Sequence, residues 1–79
     1  MFLKLIMIKK KTNPISPLTP REIDVLKYIQ QGFHNKDIAQ VLYISNNTVK
    51  SHIKNIYLKI NVDNKVQAVL KGKEFGYIL

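Results

Sequence analysis

Apolar side chains from Leu18 onward recur every three or four positions, which is the spacing of one face of an α-helix. Polar and glycine-containing breaks interrupt this spacing and divide the chain into helical segments. The pattern predicts four helices, at about residues 20–31, 36–42, 46–60 and 64–75. We therefore expect an all-α domain, a four-helix bundle in which a tri-helical core is followed by one further C-terminal helix.

The first predicted helix has signals at both ends. Its start reads Thr19-Pro20-Arg21-Glu22, a capping box in which the Thr19 hydroxyl accepts from the N–H of Glu22 and the Glu22 carboxylate accepts from the N–H of Thr19. Pro20 occupies the first helical position, where its missing N–H costs nothing. Gly32 suits the left-handed conformation that stops a helix, so the helix is confined between these two signals.

The second and third segments form a short helix, a three-residue turn and a longer helix, which is the pattern of a helix-turn-helix unit. The turn is Tyr43-Ile44-Ser45, and Ser45 is a natural N-cap for the longer helix. The inner face of the short helix is expected to hold Ile38, Ala39, Val41 and Leu42. In units of this kind the longer helix enters the major groove of DNA with its N-terminal residues on base edges.

The longer helix separates an apolar face from a polar face. With about 100° of rotation per residue, its core seam lies within about 40° of one direction and consists of Val49, Ile53, Ile56 and Ile60. The opposite side carries Asn47, Ser51, Lys54 and Leu58, with Lys50 at its flank. An ordinary solvated face would look similar on a single helix. Its place in a helix-turn-helix favours contact with bases instead.

Composition adds a strong positive charge, because Lys+Arg number 13 against 5 Asp+Glu and the formal net charge is +8. In a chain of 79 residues this favours a polyanionic partner, which could be DNA, RNA or an anionic membrane surface. Arg21 is the only arginine. Donors to base edges would therefore be lysines, which lack the planar fork that arginine presents to guanine.

The residue types needed for catalysis or metal binding do not come together in this sequence. The absence of cysteine excludes disulfides, thiolate nucleophiles and zinc fingers. A Ser/His/Asp set, a carboxylate pair and a glycine-rich phosphate loop are also missing. His34 has no partner at metal-ligand spacing, and His52 falls beside the core seam, where packing explains it. We expect no enzyme activity, no cofactor and no bound metal.

Residues 1–17 differ from the rest of the chain. They begin with a largely apolar run, Met1 to Ile8, followed by Lys9-Lys10-Lys11 and a proline-containing stretch. The run is too short to span a membrane, and its charges follow it, whereas a signal peptide has them in front. The sequence predicts a short strand or frayed arm leading through a linker into a domain over residues 18–79.

The order of residues in this domain resembles the LuxR-type (also called GerE-type) helix-turn-helix domains at the C-terminus of many bacterial response regulators and quorum sensors. The matching positions are Leu18-Thr19-Pro20-Arg21-Glu22, Val25-Leu26, Gly32, Asn35-Lys36-Asp37-Ile38-Ala39, Leu42, Ile44-Ser45, Thr48-Val49-Lys50, His52, Asn55-Ile56, Lys59-Ile60, Ala68 and Gly76. So many ordered matches make the resemblance specific.

The resemblance implies a sequence-specific regulator of transcription that binds double-stranded DNA. The residues expected to reach base edges are Lys50, Ser51 and Lys54. Those expected to hold phosphates are Lys36, Asn47 and Thr48. The fourth helix would form the contact of a homodimer bound to an inverted repeat, and we assign that contact to Val66, Val69, Leu70 and Lys73.

Several positions depart from the family pattern. His34 stands where Ser or Thr usually caps the second helix, and Asn35 could take over that cap. Gly72 stands where alanine is usual, which would cost about 1 kcal/mol of helix stability and weaken a dimer contact. Leu58 replaces a residue that is commonly polar. Seventeen residues cannot hold a receiver domain, so we expect either a stand-alone effector or a piece of a longer regulator.

Two alternatives stay open at this point. Region 4 of bacterial sigma factors has a similar tri-helical unit and works while docked on RNA polymerase, but it has no equivalent of the fourth helix. Residues 1–11 could instead be a basic amphipathic anchor on a membrane surface, although they are short and lack tryptophan. The preferred hypothesis is a DNA-binding regulator without membrane contact in a bacterial cytoplasm or a plastid, with RNA polymerase as a second candidate partner.

Overall fold

The computed structural model describes residues 16–79, and within this part of the chain all regular structure is helical. The helices are α1 (Pro20–Gln30), α2 (Asn35–Leu42), α3 (Asn46–Ile60) and α4 (Lys65–Glu74). The predicted all-α fold with four helices is confirmed. The strand or arm predicted for residues 1–17 lies, apart from its last two residues, outside the described residues.

Helix α3 is the centre of the bundle, because it packs against each of the other three helices, and α4 also packs against α1. The predicted core seam of α3 is buried in full. Around it lie the buried apolar residues Leu18, Val25, Leu26, Ile29, Ile38, Ala39, Ala68 and Ile78. The helix that carries the candidate DNA-reading residues is therefore held on three sides.

The prediction that Val41 faces inward is wrong, because 43% of it is exposed. Helix α2 has only eight residues, and the face that meets the core is centred between Ile38, Ala39 and Leu42. At about 100° per residue, Val41 is turned roughly 100° from the middle of that face. Apolar character alone placed it inside, whereas its direction around the helix axis places it outside.

The capping box at the start of α1 forms as predicted. The N–H of Thr19 donates to Glu22 Oε1 at 2.9 Å, and the N–H of Glu22 donates to Thr19 Oγ1 at 3.1 Å. The same Oε1 atom accepts from the Lys59 ammonium of α3 at 2.8 Å. Burial raises the pKa of the Glu22 carboxyl, but the bonds from Lys59 and Thr19 outweigh this and hold the pKa below its ordinary value.

The turn between α2 and α3 depends on a residue in the left-handed region. Tyr43 has φ 58° and ψ 45°, a conformation that costs free energy in any residue with a β-carbon. The residue is 94% exposed, so the backbone reverses direction without placing a large side chain in the core. Ser45 then caps α3, with its hydroxyl accepting from the N–H of Thr48 at 3.0 Å.

Gly72 on α4 permits a close contact between helices. A β-carbon at this position would lie 2.7 Å from Leu26 Cδ2 on α1 and 3.2 Å from Ile78 Cδ1. Both of these side chains are buried, so they have little room to move aside. Gly72 therefore lowers the intrinsic stability of α4, as expected, but it also allows close packing against α1 that the methyl group of alanine would prevent.

The segment after α4 returns to the start of α1. Gly76 turns the chain at φ 83°, and Ile78 then enters the core. The Tyr77 hydroxyl accepts from the N–H of Leu18 at 3.2 Å. This contact joins residues that lie 59 positions apart, and it closes the domain at the two ends of its described part.

Replacing Glu22 with Gln should lower the free energy of unfolding by about 1.5–3 kcal/mol near neutral pH, the usual worth of hydrogen bonds to a charged group. Because folding lowers the pKa of Glu22, its contribution is present above its ordinary value of 4.5 and is lost as the pH falls below it. Urea titrations between about pH 3 and 7 should therefore show a flatter pH dependence for Glu22→Gln.

The matched control for this prediction is Asp24→Asn, which removes an exposed carboxylate from the same helix. It should leave both the stability and its pH dependence nearly unchanged. Equal effects of the two variants would show that net charge, and not the bond from Glu22 to Lys59, sets the acid sensitivity.

Replacing Gly72 with Ala should destabilise the domain by about 1–3 kcal/mol through overpacking, although alanine alone would favour a helix by about 1 kcal/mol. Thermal melts followed by circular dichroism measure the change. Leu26→Val removes the δ-carbon that the new methyl group would meet, so the double variant should be more stable than the sum of the two single changes. A melting temperature raised by Gly72→Ala would contradict the packing role.

Candidate nucleic-acid interface

Helix α3 presents its polar face to solvent on the side opposite the buried seam. The residues of this face, Asn47, Lys50, Ser51, Lys54 and Leu58, are all exposed. Between residues 16 and 79 no carboxylate lies within salt-bridge distance of Lys50 or Lys54. Both ammonium groups can therefore meet an external anion or acceptor without first breaking an ion pair.

The first turn of α3 provides a second kind of donor. The first backbone N–H groups of a helix have no carbonyl acceptor within the helix, and the helix N-terminus carries a partial positive charge. Asn47 and Thr48 lie in this turn, and the hydroxyl oxygens of Thr48 and Ser45 are 2.9 Å apart. The hydroxyl pair fixes the Thr48 rotamer at the helix end, which is the position that suits binding of a phosphate.

The start of α2 is organised around His34 and not around Asn35. His34 is the N-cap, and its N–H donates to Asp37 Oδ2 at 3.0 Å. Asn35 is the first helical residue, so the expectation that it takes over the cap is wrong. The physical reason is that the first backbone bonds of the helix, from the N–H groups of Asp37 and Ile38, are accepted by the carbonyl of His34, while Asp37 accepts from the N–H of His34 in return. His34 Nδ1 lies 3.5 Å from the same carboxylate oxygen.

Lys36 is exposed in the first turn of α2. It lines a shallow groove of about 500 Å³ between α2 and the start of α3, together with Gln40, Tyr43 and Asn46. The structure thus brings the predicted phosphate ligand of α2 next to the N-terminus of α3. A strand of DNA lying along this groove would meet donors from both helices.

A second groove of about 460 Å³ lies along the other flank of α3 and includes both predicted base-reading lysines, Lys50 and Lys54. Lys65, at the start of α4, lines the same groove. Burial raises the pKa of the Tyr57 phenol in this groove, and the nearby Asp63 carboxylate raises it further. Both effects favour the protonated phenol, which can donate a hydrogen bond.

Sequence reasoning missed Lys65 as a member of this surface. Its position at the start of a separate helix gave no sign that it would lie beside Lys50 and Lys54. The high net charge showed that some lysines form a surface for a polyanion, but it could not show which ones. Only the packing of α4 against α3 brings Lys65 there.

The residues predicted to form a dimer contact lie on or beside the outer face of α4. Val66 is 70% exposed and Leu70 is 60% exposed, while Val69 is half-buried and Lys73 is exposed. The three apolar residues line a groove of about 280 Å³ whose base includes Ile29 of α1. The surface is thus apolar at its centre, with Lys65 at the start of the helix and Lys73 near its end.

The described residues form neither a membrane span nor a metal site. None of the helices in this part of the chain has the length and apolar character needed to cross a membrane. Within residues 16–79 no three side chains of the metal-ligating type are placed so that they could hold a metal ion.

The chain matches the family model described as "Bacterial regulatory proteins, luxR family" over residues 16–71. The chain is 48% identical over 64 residues to the nitrate/nitrite response regulator protein NarP of Escherichia coli K12, a match that covers 81% of this chain and 30% of NarP. It is 42% identical over 66 residues to the transcriptional regulatory protein DegU of Brevibacillus brevis, covering 84% of this chain and 28% of DegU.

A solved structure shows the same fold. The response regulator ChrA of a heme-sensing two-component system matches with a TM-score of 0.77 and 35% sequence identity, over 91% of this chain and 36% of ChrA. The chain therefore spans about a third or less of the length of each of these proteins. The similarity to these longer proteins is therefore confined to a single domain.

Replacing Lys54 with Ala should weaken binding to a preferred DNA sequence by about 1–3 kcal/mol and relax the choice of base at one position. Fluorescence-anisotropy titrations with the preferred duplex and with a scrambled duplex measure both effects. Lys27→Ala, which removes an exposed lysine from the last turn of α1, is the control and should change neither. Equal losses on both duplexes would make Lys54 a phosphate ligand instead.

Proposed function

The chain belongs to the luxR family of bacterial regulatory proteins, and we infer that it carries the DNA-binding helix-turn-helix domain of a transcription regulator. From this premise we propose that it binds specific sequences of double-stranded DNA, with α3 lying in the major groove. The observation that carries the proposal is the division of α3 into a buried apolar seam and an exposed face with two lysines, neither of which is paired with a carboxylate of residues 16–79. A helix held this firmly can present donors to base edges at fixed positions.

We assign each residue to base edges or to phosphates according to its position on the helices. Lys50, Ser51 and Lys54 project from the outer face of α3 and contact base edges. Asn47 and Thr48 lie at the helix N-terminus and contact phosphates, as does Lys36 across the adjoining groove. Phosphate contacts fix the register of the protein, whereas base contacts select the sequence.

We further propose that two copies bind an inverted repeat through α4. Val66 and Leu70 are apolar, exposed and one helical turn apart, and the groove beside them reaches Ile29. A homodimer about a twofold axis would cover this face with the same face of a second copy. Two linked domains would then read both half-sites of the DNA.

The relatives support a role for the whole protein in bacterial gene regulation. NarP is named as a response regulator and DegU as a transcriptional regulatory protein. We propose that this chain likewise regulates transcription in a bacterial cytoplasm and that it does so as a DNA-binding domain and not as an enzyme.

The test begins with selection of a preferred duplex from a random DNA library by the purified chain. Its affinity and that of a scrambled duplex are then measured at about 50 and 200 mM salt, because release of counterions makes phosphate binding steeply dependent on salt. We expect a steep salt dependence and a preference for the selected duplex of at least about 10³-fold.

Two results would contradict the proposal. Steep salt dependence without any preference would make the chain a general polycation. No binding at the lower salt concentration would exclude the DNA-binding function, and capture of purified RNA polymerase would then test the sigma-like alternative.

Replacing Leu70 with Asp should remove cooperative binding to a complete inverted repeat, because it places a charge in the centre of an apolar contact. Binding to a single half-site should be nearly unchanged. Gel-shift titrations distinguish the two-copy complex from the one-copy complex. Val41→Asp places the same charge on an exposed apolar residue of α2 and serves as the control; equal behaviour of the two variants would exclude α4 as the dimer surface.

A further inference from the structure

Leu58 is an exposed apolar residue on the face of α3 that otherwise carries polar groups. Its exposed fraction is 63%, so it contributes little to the core. It follows Lys54 by four residues and Ser51 by seven, and side chains at these intervals lie along one side of a helix. Leu58 therefore continues the stripe that we propose to read DNA.

The length of the helix keeps Leu58 within reach of the groove. With a rise of about 1.5 Å per residue, Leu58 lies about 6 Å beyond Lys54 and about 12 Å beyond Lys50 along the axis. The major groove of B-form DNA is itself about 12 Å wide. If Lys50 and Lys54 contact base edges and the axis of α3 crosses the groove, Leu58 comes to lie near one wall of the groove.

Both apolar and cationic side chains surround Leu58, which suits a position near the wall of the major groove. It lines the groove of about 460 Å³ together with the apolar side chains of Ile53, Tyr57 and Val62 and with Lys50, Lys54 and Lys65. Among residues 16–79, Asp63 is the only carboxylate along this groove, which three lysines also line, so these residues give it a net positive charge. A ligand matching this groove has a small apolar group beside anionic groups.

Among the base edges in the major groove, only thymine presents such an apolar group, its C5-methyl. The other edges offer hydrogen-bond donors and acceptors, and a leucine placed against them would leave them without partners.

We propose that Leu58 is a specificity-determining residue that selects a thymine by packing against its C5-methyl group. The selected base would lie next to the one contacted by Lys54. This inference rests on the proposed DNA-binding function, and it adds to that function a preference that comes from an apolar contact and not from a hydrogen bond.

Deoxyuridine provides the test, because it differs from thymidine only by the missing methyl group. The probe is the duplex selected from the random library, with each thymine replaced in turn by uracil. Burial of one methyl group corresponds to about a fourfold change in affinity. We expect one thymine in each half-site at which uracil weakens binding about fourfold, while uracil at the other positions has little effect.

Variants of Leu58 then identify the side chain that senses the methyl group. Leu58→Ala should weaken binding to the selected duplex and become insensitive to uracil at that one position. Leu58→Met keeps an apolar side chain of similar size and should restore the sensitivity. Val41→Ala shortens an exposed apolar residue on another helix and should retain the wild-type response.

The outcomes separate this inference from the function on which it rests. A preferred duplex without any uracil-sensitive thymine would overturn the role of Leu58 and leave the proposed function intact. The same holds if Leu58→Ala remains sensitive at the same thymine, because another residue would then make the contact. Failure to select any preferred duplex would overturn both.

Discussion

Glu22 Oε1 accepts two hydrogen bonds, from the N–H of Thr19 and from the ammonium of Lys59. The first begins helix α1, and the second fastens the far end of helix α3 to that beginning. Glu22 is almost completely buried. If either hydrogen bond were missing, the buried charge would be only partly compensated for its loss of hydration, which costs much free energy. The position of α3 in the domain depends on this one atom together with the apolar seam.

That constraint has consequences for the DNA-reading face. The seam from Val49 to Ile60 is covered by α1, α2 and α4, so α3 cannot rotate about its axis without opening the core. Fixing the rotation also fixes the direction of Lys50 and Lys54. Hydrogen bonds to base edges tolerate little displacement, so a helix that reads bases needs a rigid support of this kind.

Helix α4 combines a structural role with a surface role. Gly72 lets it approach Leu26 closely, while the outward residues Val66 and Leu70 remain free for contact. Its first residue, Lys65, also reaches the groove beside α3. A second copy bound at α4 would therefore lie close to the DNA-reading surface, which fits the proposed arrangement of two domains on one inverted repeat.

Most of the fold could be predicted from the sequence, because helix spacing and caps are local properties. Apolar residues three and four positions apart defined the helices, and Thr19, Gly32 and Ser45 marked ends that the structure confirms. The polar face of α3 followed from the same periodicity. Whether Lys50, Ser51 and Lys54 contact bases stays a prediction.

Contacts between distant parts of the chain were decided only by the tertiary structure. The partner of Glu22 lies 37 residues away, and nothing in the local pattern distinguished Lys59 from the other lysines. Val41 looked like a core residue, since the pattern shows that a helix has an inner face but not how wide that face is. Gly72 looked like a defect in a helix, because only the position of Leu26 on a neighbouring helix reveals the space it keeps. Local periodicity thus determined the helices, and packing between them determined which residues share a surface.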